Sequence, residues 1–172
     1  MKLGITGSRS NTEFDFTELF TRKNKEFNAF LGRRRITSII TGGARGIDRQ
    51  AELCAAKLNI PCRVIRPDYA RYRKGAPLKR NLQIVDHSDA LLVIWNGYSQ
   101  GTIQTATHAL DVGKQVYLIL SVDKIINSCI GIISNKNIFS GISAQSIQFW
   151  FLLLKNKKNV ASNSCINYWQ HL

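Results

Sequence analysis

A short glycine-rich segment separates an apolar run from a helix-like run. The segment is TGGARGID at 41–48, and it contains Gly42, Gly43 and Gly46. Glycine lets a backbone turn sharply or approach a ligand closely, and the first amides of a helix favour an oxyanion such as phosphate. Asp48 falls in the first helical turn, where the helix dipole stabilises a carboxylate, and it could also meet a ribose hydroxyl. The spacing is not GxGxxG, so a standard dinucleotide fingerprint is not predicted.

A second candidate anion-binding turn is GSRS at 7–10. Gly7 allows close backbone approach, Ser8 offers a hydroxyl, and Arg9 can form charge-assisted hydrogen bonds to phosphate. The alternative is a plain strand-to-helix turn with an exposed arginine. We therefore treat these three residues as candidate ligand contacts.

Two later segments place polar residues near the start of a predicted helix. In KRN at 79–81, Arg80 could reach a phosphate and Asn81 could read a base or a ribose. In SQGT at 99–102, Gly101 frees the backbone and Thr102 supplies a hydroxyl and an amide. The sequence assigns no catalytic residue and leaves catalysis open, and we predict neither a metal ligand nor a cofactor. The candidate ligand-binding residues are Gly7, Ser8, Arg9, Gly42, Gly43, Arg45, Gly46, Asp48, Tyr69, Arg80, Asn81, Ser99, Gly101 and Thr102.

The elements that must position these residues alternate along the first 121 residues. Short runs rich in Val, Ile and Leu, typical of buried parallel strands, occur at 2–6, 36–41, 62–66, 89–95 and 115–120. Segments with helical periodicity occur at about 12–31, 47–58, 77–87 and 102–112. This alternation predicts an α/β fold: a three-layer, doubly wound, mainly parallel five-stranded Rossmann-like sheet. Because each candidate loop follows a strand, we expect the loops to gather at one edge of the sheet.

The chain changes character after the predicted domain at 1–122. No Asp or Glu occurs between Lys124 and Leu172, where Ile, Asn, Ser and Lys dominate. The uncharged segment at 138–154 approaches the length of a membrane span, but Ser and Gln interrupt it. We expect residues 123–172 to be an extension of unknown role, weakly ordered or helical near 143–155.

The formal net charge of +13 suits either nucleic acid or a ligand that carries phosphates. The basic residues are spread along the chain, and no compact basic helix with interleaved aromatic residues is evident. The four cysteines have neither zinc-site nor disulfide spacing, and the N-terminus lacks the apolar core of a signal peptide. We therefore expect a cytoplasmic protein with no membrane partner.

Taken in order, the motifs resemble those of the SLOG superfamily, and most of all its small stand-alone YspA-related branch. The resemblance covers about residues 1–121 and rests on KLGITGSRS, TGGARGIDRQAE, APLKRNLQIVDHSDALLVIWNGYSQGTIQTATHA and GKQVYLIL. It implies a Rossmann-like domain that binds a nucleotide-derived ligand at the candidate loops, and a homodimer as the expected assembly. Tyr69 lies near the position where the family often has a tryptophan, and its ring could stack on a base.

The resemblance implies a nucleotide-binding sensor or sequestering module as the leading function. Related phosphoribohydrolases have a glutamate three residues after a Gly-Thr pair, whereas this chain has Thr105, which supplies no carboxylate. An N-glycosidase acting on nucleoside monophosphates is therefore the second hypothesis, with Asp48, Asp68 or Asp86 as the substitute carboxylate. Binding of single-stranded DNA, as in the related DNA-processing protein of natural transformation, is the third hypothesis. The positive charge favours it, but it ranks last because no separate aromatic platform is evident.

Overall fold

The computed structural model describes residues 1–21, 23–122 and 126–133, and describes side chains for 1–17, 19–21 and 23–121. Strands and helices alternate along this part of the chain. The strands are β1 (Lys2–Gly7), β2 (Ser38–Thr41), β3 (Cys62–Val64), β4 (Ala90–Trp95), β5 (Gln115–Val122) and β6 (Ile126–Ile133). The helices are α1 (Thr17–Phe20), α2 (Lys25–Leu31), α3 (Ile47–Lys57), α4 (Tyr69–Tyr72), α5 (Ala76–His87) and α6 (Gln100–Asp111), with a 3-10 turn at Arg73–Gly75.

The strands form one sheet in the order β3-β2-β1-β4-β5-β6. The pairs among β1 to β5 are all parallel, which confirms the predicted doubly wound α/β fold. The order reverses between β1 and β4, so the loops that follow these two strands flank the switch point of the sheet. β6 pairs antiparallel with β5 and adds a strand beyond the five predicted. The predicted helix near 143–155 lies outside the described residues.

Helices cover both faces of the sheet because the central strands are apolar on both sides. All six residues of β4 are buried, as expected for a strand in the middle of a parallel sheet. On one face, α2 and α3 pack with an aromatic cluster in which the Phe27 ring centroid lies 5.2 Å from that of Tyr117. On the other face, α5 approaches closely because Gly4 leaves space for Ser88 and Leu91.

The segment predicted as one helix at about 12–31 forms two short helices instead, so this prediction was wrong in detail. The Asn24 side chain caps α2 by accepting a hydrogen bond from the Phe27 amide at 2.7 Å, which starts a new helix there. The apolar periodicity continued through the break because Phe16 and Leu19 at α1 and the phenylalanines of α2 are buried in the same cluster. Among the described residues, no helix is long and apolar enough to cross a membrane.

Candidate functional site

Two adjoining clefts open at the edge of the sheet where the parallel strands end. The central cleft, of about 650 Å³, lies between the loops after β1 and β4 and the first turns of α5 and α6. The lateral cleft, of about 570 Å³, lies beside it, between the loop after β2 and the segment after β3.

The structure brings twelve of the fourteen predicted residues to the walls of these clefts. Those lining the central cleft are Gly7, Arg9, Arg45, Asp48, Arg80, Asn81, Ser99, Gly101 and Thr102. Those lining the lateral cleft are Arg9, Gly42, Gly43, Arg45, Tyr69 and Arg80. The remaining two, Ser8 and Gly46, line neither cleft. Lining residues that the sequence analysis did not select include Ser10, Arg66, Lys74, Leu78, Asn96 and Tyr98.

Basic side chains outnumber acidic ones in the walls of both clefts. Arg9, Arg45 and Arg80 line both, Lys74 adds a cation to the central cleft, and Arg66 adds one to the lateral cleft. Among the described residues that line either cleft, only one side chain, that of Asp48, is a carboxylate. This charge distribution favours an anionic ligand, and guanidinium groups match the oxygen geometry of phosphate.

Asp48 and Arg80 form a buried ion pair between α3 and α5. Arg80 Nη1 lies 3.3 Å from Asp48 Oδ2, and the two side chains are only 6% and 5% exposed. A Cβ at Gly42 would overlap the Arg80 guanidinium. Glycine at position 42 therefore gives the arginine room to lie across the turn after β2.

The carboxylate of Asp48 occupies backbone amides of the glycine-rich turn that were predicted to bind an anion. Asp48 Oδ2 accepts a hydrogen bond from the Ala44 amide at 3.2 Å, and the Gly42 amide also interacts with this carboxylate. Burial raises the pKa of Asp48 to about 6, although Arg80 and the two amides oppose the rise. Burial and the neighbouring Arg9 lower the pKa of Arg80, and Asp48 raises it. An anion in either cleft would therefore need other hydrogen-bond donors.

Gly46 and Ser8 build the site without facing it. Gly46 has φ of +83°, and a Cβ there would lie 2.5 Å from the Ser8 carbonyl oxygen and 2.6 Å from that of Arg9. The Ser8 hydroxyl is buried and accepts a hydrogen bond from the backbone amide of Asn96 at 3.0 Å. Both residues connect neighbouring loops, and the ligand contacts predicted for them stay predictions.

Asn96, which sequence reasoning missed as a site residue, organises the loop after β4. Its Oδ1 accepts hydrogen bonds from the amides of Tyr98 at 3.0 Å and Ser99 at 2.9 Å. Its Nδ2 donates to Ser10 Oγ at 3.0 Å, which connects this loop to the loop after β1. The Asn-Gly pair at 96–97 is a recognisable turn signal and could have identified it.

We expect Asn96→Ala to lower the free energy of unfolding by about 1–3 kcal/mol, because two amides and one hydroxyl lose their partner. Hydrogen exchange of the Tyr98 and Ser99 amides should accelerate. Asn96→Asp is the matched control, since its carboxylate still accepts from both amides and should restore their protection. Unchanged stability and exchange in Asn96→Ala would show that the loop holds its shape without this side chain.

The start of α6 faces the central cleft. The Ser99 side chain makes no capping hydrogen bond, and its hydroxyl instead accepts from Thr102 Oγ1 at 2.8 Å. Asn81 Nδ2 lies 3.5 Å from the Gly101 carbonyl oxygen, on the same side of the cleft. The first amides of a helix lack intrahelical partners and carry positive partial charge, so this helix end adds to the basic character of the cleft.

Of the three carboxylates considered for glycosidic cleavage, only Asp48 lines a cleft. Asp68 caps α4 by accepting from the Arg71 amide at 3.0 Å, and Asp86 Oδ1 lies 4.0 Å from His108 Nε2. Thr105 is buried, and its hydroxyl donates to the Gly101 carbonyl at 2.6 Å. Among the described residues, no group of three or more His, Cys, Asp or Glu side chains could hold a metal ion.

The order of the motifs remains the basis for the SLOG resemblance, which is a prediction from sequence. The basic walls of the two clefts, and the start of α6 that lines the central one, support a functional proposal without reference to this resemblance. No protein-family model, curated protein or solved structure matches this chain in the comparisons made with it.

Proposed function

We propose that the protein binds a nucleotide or a nucleotide-derived small molecule in the central cleft and acts as a sensor or sequestering module. The observation that carries this proposal is the convergence of Arg9, Arg45 and Lys74 with the start of α6 at the switch point between β1 and β4. Ligands of open α/β sheets bind at such points, and phosphate favours both arginine and helix N-termini.

The cationic side chains available to a ligand are those that form no ion pair with a carboxylate of the protein. Within the described part of the chain, no carboxylate forms an ion pair with Arg9, Arg45 or Lys74. Arg80 is committed to Asp48, so its guanidinium contributes positive charge to the wall while being held in place. We therefore assign the main phosphate contacts to Arg9 and Arg45.

A base has an aromatic and apolar surface available in the same cleft. Tyr98 is 56% exposed and Leu78 is 48% exposed, and both line the central cleft. Exposed aromatic rings gain free energy when a base stacks on them, and this stacking depends only weakly on which base is present. A ligand with a phosphate at Arg9 and a base on Tyr98 would be a nucleotide.

We expect Arg9→Ala to lower nucleotide affinity at least about tenfold while leaving stability unchanged, because it removes a charge-assisted hydrogen bond. Isothermal titration against nucleoside mono-, di- and triphosphates and cyclic and linear dinucleotides measures this. Arg33→Ala is the control, since Arg33 is exposed in the segment before β2, at the opposite edge of the sheet. No binding at millimolar ligand by well-folded protein would refute the proposal.

The two alternative functions give different results in the same series. Release of free base and ribose 5-phosphate from nucleoside monophosphates would indicate an N-glycosidase, with Asp48→Asn as the first variant to examine. Binding of single-stranded DNA that falls steeply with salt would indicate phosphate-dominated nucleic-acid recognition. Arg33→Ala would then weaken binding as well, because nonspecific contacts involve basic residues beyond the cleft.

A further inference from the structure

The central and lateral clefts share a wall. Arg9, Ala44, Arg45 and Arg80 line both of them. Volumes of about 650 Å³ and 570 Å³ are each within the range of cavities that hold small molecules. A single nucleotide placed in the central cleft would leave the lateral cleft and its cations uncovered.

Each cleft has its own exposed aromatic ring. Five large apolar side chains are strongly exposed among the described residues, and three of them line the clefts. Tyr98 and Leu78 line the central cleft, and Tyr69, which is 59% exposed, lines the lateral cleft. Each cleft therefore offers an exposed ring on which a flat apolar group of a ligand can stack.

The wall between the two rings is cationic and built into the fold. Arg9 and Arg45 are exposed there, with no ion-pair partner in the described part of the chain. Arg80 is 6% exposed, and its Nε has no hydrogen-bond partner among the described residues, an unusual state for a buried donor. Negative charge placed between the two clefts would be stabilised by all three guanidinium groups.

We infer that the preferred ligand is a dinucleotide whose linking phosphates lie at the wall between the two clefts, against Arg9 and Arg45. One base would stack on Tyr98 in the central cleft and the other on Tyr69 in the lateral cleft. This inference rests on the proposed function and specifies its ligand class. A dinucleotide matches the alternation of ring, charge and ring, whereas a mononucleotide uses only one ring. Covering the second ring should strengthen binding about tenfold.

The test compares matched pairs of ligands by isothermal titration with the full chain. AMP is compared with P1,P2-di(adenosine-5′) diphosphate, and GMP with its diguanosine counterpart. We expect the dinucleotide of at least one pair to bind about tenfold more tightly than its mononucleotide. Tyr69→Ala should lower the dinucleotide affinity about tenfold more than the mononucleotide affinity and so remove this advantage, and Tyr69→Phe should restore it.

The outcomes separate this inference from the proposed function. Equal affinity for mononucleotide and dinucleotide would overturn the inference while the proposed function stands. Loss of mononucleotide binding in Tyr69→Ala would overturn it too, because the two clefts would then not act separately. Tighter binding of a single-stranded oligonucleotide than of either dinucleotide would assign the clefts to nucleic acid. Absence of any nucleotide binding would refute both proposals.

Discussion

Replacing Arg80 by methionine is expected to lower the free energy of unfolding by about 3–5 kcal/mol at pH 8, because it leaves a buried carboxylate without its cation. The pair at 3.3 Å is almost completely shielded from water, so solvent cannot replace the lost partner. Methionine keeps much of the arginine's length and apolar stem, which limits the loss from packing. Urea denaturation measures the difference from wild type.

The stability lost in Arg80→Met should depend on pH, and the direction of this dependence follows from the pKa of Asp48. In the wild type, burial raises the pKa of Asp48 from 3.8 to about 6, Arg80 opposes this rise and Glu52 adds to it. The folded state therefore holds a proton that the unfolded state releases, and stability falls as the pH rises from about 4 to 6. Without Arg80 the pKa of Asp48 rises further, so the variant should continue to lose stability above pH 6.

Two variants control for other causes. Asp48→Asn combined with Arg80→Met removes both charges and should recover most of the stability and lose this pH dependence. Arg49→Met breaks a solvent-accessible ion pair, in which Arg49 Nη1 lies 2.9 Å from Glu52 Oε2, and should cost at most about 1 kcal/mol. If Arg80→Met matched the wild type at pH 8, the ion pair would not be what holds α3 and α5 together.

Alanine at position 46 is expected to lower the free energy of unfolding by about 2–6 kcal/mol, from backbone strain and steric overlap combined. The φ of +83° and ψ of −131° at Gly46 suit only glycine. An added Cβ would lie 2.5 Å from the Ser8 carbonyl oxygen, and a backbone atom cannot move without shifting the loop that carries Arg9. Nucleotide affinity, measured by titration, should therefore fall together with stability.

Gly113→Ala separates strain from overlap. Gly113 has a similar φ of +78°, but nothing lies within 4 Å of the position that a Cβ would take. We expect this variant to lose only about 1–2 kcal/mol and to keep the ligand affinity of the wild type. Equal losses at the two positions would mean that Gly46 is required for its backbone conformation alone and not for its contact with the loop after β1.

Much of the fold was predictable because buried strands and helices have characteristic patterns of apolar residues. The run ALLVIW at 90–95 is apolar at every position, as a strand covered on both faces must be, and it forms β4. The placement of the glycine-rich and basic loops at one edge followed from the parallel sheet alone. The break inside the segment at 12–31 was missed, since the Asn24 cap interrupts the helix without interrupting the pattern of buried phenylalanines.

The sequence by itself determined the α/β sheet, the loops that meet at its edge and the residues from which a site could be made. Only the tertiary structure decided what each residue does there: Asp48 pairs with Arg80, 32 positions away, and Ser8 with Asn96, 88 positions away. Periodicity records whether a residue is buried, which is a local property of its own strand or helix. The partner of a buried polar group depends on how separate elements pack, so no single segment of the sequence contains that information.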